Sequence, residues 1–145
     1  MTRHPAGWAA AFAMGTVVFV AAQKVVGPDE FDRAMKTIGA AIDLVDEEVA
    51  SGSHEAAKTP LALARQVVAS TRPVWESSQR PDAVRMTRET VVALDALDKV
   101  LSGITVDAGA VDVSLQSVKR ACDACHETYR EGDEETGYRM KTDLP

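Results

Sequence analysis

Val111-Asp112-Val113-Ser114-Leu115-Gln116-Ser117-Val118-Lys119-Arg120-Ala121-Cys122-Asp123-Ala124-Cys125-His126-Glu127-Thr128-Tyr129 is the stretch from which the rest of the chain can be read. Val111, Leu115, Val118, Cys122, Cys125 and Tyr129 recur at spacings that alternate between four and three. That is the period of a helix burying one stripe. Both cysteines therefore fall on the buried seam. Their separation of three places them about one turn apart on one face, and His126, four residues after Cys122, points the same general way.

Moving back along the chain, the same period appears three more times. Gly27-Pro28-Asp29 starts a helix, with proline in the first turn and acids that complement the helix dipole. Phe31, Met35, Ile38, Ile42, Val45 and Val49 form its stripe, and Ser51-Gly52-Ser53 ends it. A second helix over about residues 54–71 carries Ala57, Leu61, Ala64 and Val68. Pro60 leaves its start open, either at Thr59 or near Ser53. Residues 72–80, with Arg72-Pro73-Val74-Trp75, read as a connection. Pro81-Asp82 opens the third helix, striped by Val84, Thr87, Val91, Leu94 and Leu101. Ala83, Met86, Thr90 and Leu97 widen its apolar face, and Ser102-Gly103 closes it. Residues 131–145 are polar and lack periodicity, so they are expected to form a flexible tail. Four helices with short connections predict an all-α fold, an antiparallel four-helix bundle over residues 23–130.

The composition agrees. The chain of 145 residues is 46% hydrophobic but only 5% aromatic, a balance that suits close-packed helices better than a sandwich of sheets. Its net charge of −6 argues against nucleic acid, which selects clustered Lys and Arg, and leaves room for a basic protein partner. Arg3 followed by an uncharged apolar run over residues 6–22, ending in Val20-Ala21-Ala22, reads as an export signal over residues 1–22. Its removal takes away one charged side chain and leaves −7. The alternative is an uncleaved anchor, the one way in which a membrane enters this reading. Either puts the domain on the exported side, which implies a periplasmic location.

Cys122 and Cys125 are the only two cysteines. In an exported protein a pair would ordinarily imply a disulfide. The histidine directly after the second changes that expectation. Cys-x-x-Cys-His is the attachment sequence for haem c, in which each thiol forms a thioether and the imidazole ligates iron as its proximal ligand. A structural zinc site needs four nitrogen or sulfur ligands, and only His4 and His54 remain to complete one. The expectation is one covalent haem c per chain.

With these residues in view, the sequence resembles the class II cytochromes c, meaning cytochrome c′ and its low-spin relatives of the cytochrome c556 type. The resemblance spans essentially the whole chain after the export signal. It is strongest at Cys122-Asp123-Ala124-Cys125-His126-Glu127-Thr128-Tyr129-Arg130, where the family's motif also runs into a Tyr-Arg pair near the C-terminus. Met35-Lys36-Thr37-Ile38-Gly39-Ala40-Ala41 is similar to the family's first-helix segment, and Arg72-Pro73-Val74-Trp75 more weakly to an element after the second helix. The family usually has an arginine four residues before the methionine. Here that position is Phe31, and the nearest arginine is Arg33.

The resemblance implies Met35 as the distal iron ligand, giving His/Met coordination. The bland reading of Met35, a core residue on a helical stripe, stands beside it. Tyr129 is expected to pack on the porphyrin. Arg130 is expected either near a propionate or as a solvated charge at a helix C-terminus. No acid–base pair, activated nucleophile or phosphate loop stands out, so the expectation is an electron carrier serving a redox partner protein rather than an enzyme. A five-coordinate, cytochrome c′-like protein binding NO or CO is the alternative. Relatives often pair through their first two helices, and the stripes leave a homodimer open.

Overall fold

The computed structural model describes residues 27–133 and 135–141. Four helices follow one another: α1 (Pro28–Ala50), α2 (His54–Ser77), α3 (Pro81–Leu101) and α4 (Ala108–Tyr129). A two-residue ladder, β1 (Arg130–Glu131) with β2 (Arg139–Met140), closes the described chain. The helices pack α1 on α2, α2 on α3 and α3 on α4. With connections this short, each helix must run opposite to the one before it. The all-α four-helix arrangement is therefore as the spacing predicts. The export segment lies outside the described residues, and no helix among those described is long and apolar enough to cross a membrane.

Local chemistry sets the ends. Gly52 takes φ +76° after α1, and its neighbours close the helix with Gly52 N–H to Val49 O at 3.0 Å and Ser53 N–H to Glu48 O at 2.8 Å. A left-handed glycine of this kind is a common way to satisfy the last carbonyls. At the start of α4, the Asp107 carboxylate accepts from Ala110 N–H at 2.7 Å.

The core divides into two clusters. The larger is aliphatic and runs through all four helices, with Ile38, Val45, Leu61, Leu94, Leu97 and Val118 among its buried members. The smaller gathers Trp75, Ala83 and Tyr129, with Phe31, Met86, Cys125 and Met140 packed against it. It lies at the end of the bundle where α2 finishes, α3 begins and α4 finishes.

The start of the second helix, open between Thr59 and Ser53, falls at His54 with Ser53 as its N-cap, so Pro60 lies inside the helix. Two expectations are corrected. The same helix runs through Pro73 to Ser77, where the sequence predicts a connection. An interior proline costs roughly 3 kcal/mol. The continuation is offset by what it buries, because Thr71 and Trp75 extend the stripe of Leu61, Ala64 and Val68, and Trp75 ends only 2% exposed. Finally, residues 131–133 and 135–141 fold back instead of trailing away. Gly132 and Gly137 take φ of +90° and +76°, and a side chain at Gly132 would run into the Gly137 carbonyl. Lys141 secures the return by donating its N–H to Tyr129 O at 2.8 Å and its ammonium to Glu127 O at 2.7 Å.

Candidate functional site

The two cysteines sit where the two core clusters meet. Cys122 packs against the aliphatic cluster and Cys125 against the aromatic one. Both are free thiols and half-buried, so the seam predicted for α4 loosens at these two positions while Val111, Leu115, Val118 and Tyr129 are fully buried. Burial pushes the Cys122 thiol up, helped by the Asp123 carboxylate. Burial also pushes Cys125 up to about 11, with Cys122 and Asp82 adding to it. Both sulfurs are thus held as protonated, poorly nucleophilic thiols.

His126 is half-buried beside them. Burial lowers its pKa and Arg130 lowers it further, against a smaller opposing pull from Asp123. The imidazole is therefore neutral around pH 7, the form that can bind a metal. It lines an open cleft of about 320 Å³ with Asp123, Glu127, Arg130, Gly132 and Tyr138. Arg130 is exposed, and its guanidinium lies over the Tyr138 ring at 4.1 Å. Such a cation–π contact keeps the charge at the cleft mouth.

Tyr129 turns the other way. It is 4% exposed, its ring tilts against Trp75 at 4.9 Å, and Trp75 meets the edge of Phe31 at 5.0 Å. Its hydroxyl donates to the Asp82 carboxylate in a short hydrogen bond. The phenol is pushed up to about 12 by burial first and by Asp82 second. The reciprocal effect holds Asp82 below the ordinary carboxylate range.

Met35 is half-buried on α1 and packs into the aliphatic cluster, the same cluster that Cys122 touches. The last turns of α4 bring Cys122, Cys125 and His126 together. Tyr129, at the end of the helix, goes to the aromatic cluster with Cys125, and Arg130, just beyond it, lines the cleft with His126. Met35 meets Cys122 only through the shared core. Arg33 is exposed and pairs with Glu30 one turn away at 3.4 Å, so it does not take the place of the family's arginine.

Sequence reasoning missed two neighbours of the site. Asp82 carried a signal only as an acid in the first turn of a helix, and nothing in the spacing pairs it with Tyr129. Met140 reaches the Cys125 cluster because the terminal hairpin folds back, for which Gly132-Asp133 and Thr136-Gly137 were the available turn signals. Among the described residues, no three His, Cys, Asp or Glu side chains are grouped so as to hold a bare metal ion. A haem iron needs no such group, since the porphyrin supplies four of its ligands. Comparison with protein-family models, with characterised proteins and with solved structures finds no match to this chain.

Proposed function

We propose that this chain is an exported c-type cytochrome of the class II kind, a periplasmic electron carrier with one covalent haem c. The observation that carries the reading is the donor set at the end of α4. Two free, half-buried thiols stand one turn apart on one helix face, with a neutral imidazole immediately after the second. Cys122 and Cys125 would hold the porphyrin as thioethers, and His126 would bind its iron. A ring tethered at both sulfurs would bridge the aliphatic and the aromatic cluster, with Tyr129 and Trp75 as its apolar surroundings. The haem supplies the one-electron chemistry; the protein supplies orientation, burial and axial ligands.

Met35 is the distal ligand in this reading, since it is the half-buried methionine of α1 on the core that Cys122 shares. Its thioether would raise the potential relative to a vacant position. Arg130 at the cleft mouth is placed to meet an acidic group, a haem propionate being one. A redox protein is the partner.

One observation favours the second reading, a five-coordinate protein that binds NO or CO. Met35 is already packed among aliphatic side chains, as an ordinary core residue would be. An optical spectrum separates the two. Electron transfer through His/Met iron predicts low-spin bands in both oxidation states and little reaction of the ferrous protein with CO. High-spin bands with ready CO binding would overturn Met35 ligation and establish the alternative.

A further inference from the structure

We propose that Lys141, at the end of the terminal hairpin, is a positioning residue for His126: it holds the last turn of α4, and through that turn the imidazole, in place. The inference rests on the haem reading above and goes beyond it by assigning a role to a residue outside the motif.

The donor set stands at the end of a helix. His126 is in the last turn of α4, which finishes at Tyr129. The last four carbonyls of a helix have no partner within it, and an end left without partners frays. The carbonyl of His126 accepts from Arg130 N–H. Those of Glu127 and Tyr129 are met by Lys141, the first by its ammonium at 2.7 Å and the second by its N–H at 2.8 Å. A cation suits this place because the C-terminal end of a helix is electronegative. The last turn of α4 has no lysine or arginine of its own, and His126, its one basic side chain, is neutral. The charge therefore comes from another segment.

The hairpin brings it there. Its strands pair Arg130 with Met140 and Glu131 with Arg139, and the Arg139 guanidinium donates to the Glu131 carboxylate at 2.8 Å. The Asp133 carboxylate steadies the turn by accepting from Thr136 N–H at 2.8 Å and from the Thr136 hydroxyl at 2.7 Å. Met140, next to Lys141, packs into the cluster that Cys125 touches, and Tyr138 lines the cleft beside His126. The hairpin thus borders both the second cysteine's cluster and the imidazole. Thioethers would tie Cys122 and Cys125 to the porphyrin covalently, whatever the helix end does. The imidazole has no such tether, so of the three donors His126 is the one that fraying would displace.

Nitric oxide added to the ferrous holoprotein tests this, because NO on haem iron weakens the bond to the ligand opposite it. Electron paramagnetic resonance then separates six-coordinate nitrosyl haem, with histidine retained, from the five-coordinate form, with histidine released. Lys141→Met keeps the apolar stem and removes the ammonium. It is expected to raise the ratio of five- to six-coordinate haem about two- to tenfold, the factor one hydrogen bond contributes. Lys141→Arg restores a donor and should lower the ratio toward the wild-type value. Arg120→Met removes a charge from α4 that bonds Ser117, away from the last turn, and should leave the ratio unchanged. The positioning role is overturned, with haem attachment intact, by an unaltered ratio in Lys141→Met or by an equal rise in Arg120→Met. A rise that Lys141→Arg does not lower, or wild-type haem that is wholly five-coordinate, overturns it as well. A chain that takes up no covalent haem overturns both.

Discussion

The two ends of this bundle are built from different residues. One end is aliphatic, with Leu61, Leu94, Leu97, Leu101, Val111 and Val118 interlocked across α2, α3 and α4. The other holds the aromatic side chains of the described residues: Phe31 meets Trp75 edge-on, Trp75 tilts against Tyr129, and Tyr138 lines the cleft beside His126. Helical spacing alone dictates the first end, because any apolar residue on the stripe will pack there. The second needs particular partners, since Tyr129 carries a hydroxyl that must be satisfied and finds Asp82. Both ends hold the fold together, and in the proposed cytochrome the aromatic end would also border the haem.

Substitutions can break that division. Trp75→Ala is expected to have the largest effect, a loss of about 3–5 kcal/mol in denaturant unfolding. It should also disturb haem incorporation, because Trp75 supports the cluster against which Cys125 packs. Leu97→Ala should cost about 2–5 kcal/mol at the other end, yet leave the holoprotein's optical spectrum unchanged. Spectral changes of equal size in both variants would show that the ends are not separable.

A smaller effect is expected from Tyr129→Phe, and it should depend on pH. The phenol of Tyr129 is raised from 10.0 to about 12 in the folded state, so its contribution is complete below pH 10 and is lost as pH rises toward 12. Asp82 is lowered from 3.8, so its contribution is complete above that pH and is lost as pH falls through its folded value. Unfolding midpoints measured across pH should therefore decline on both flanks in the wild type. The phenylalanine variant should lose the alkaline decline and blunt the acid one. Identical pH profiles would mean the hydrogen bond contributes nothing.

Gly39→Ala is the smallest change and has the opposite sign. The residue is exposed, inside α1, and free of neighbours, so alanine should stabilise the protein by about 0.5–1 kcal/mol. A destabilised alanine variant would show that the space beside Gly39 is used.

The same contrast explains what could be read from the sequence. The aliphatic stripes of α2 and α4 follow from local periodicity, and Cys122, Cys125 and His126 form a contiguous motif. In α1 the buried line is Ala34, Ile38, Ala41 and Val45, with the expected Phe31, Met35, Ile42 and Val49 only half-buried along its edge. The surroundings of the motif are assembled from α1, α2, α3, α4 and the terminal hairpin, so no single stretch announces them. Trp75 was obscured by Pro73, although its spacing from Thr71 and Val68 continues the stripe. Asp82 and Met140 depend on topology, since each meets the site only when distant segments are brought to one end of the bundle.

Haem attachment itself can be measured directly. Trypsin cuts after Arg120 and Arg130, so residues 121–130 leave the protein as one peptide containing both cysteines and His126. When the chain is produced in a host that matures c-type cytochromes and then extracted with acidified acetone, the haem should remain with the polypeptide. The peptide should carry the mass of one haem. An unmodified peptide, or one shortened only by the two hydrogens of a Cys122–Cys125 disulfide, would contradict the account.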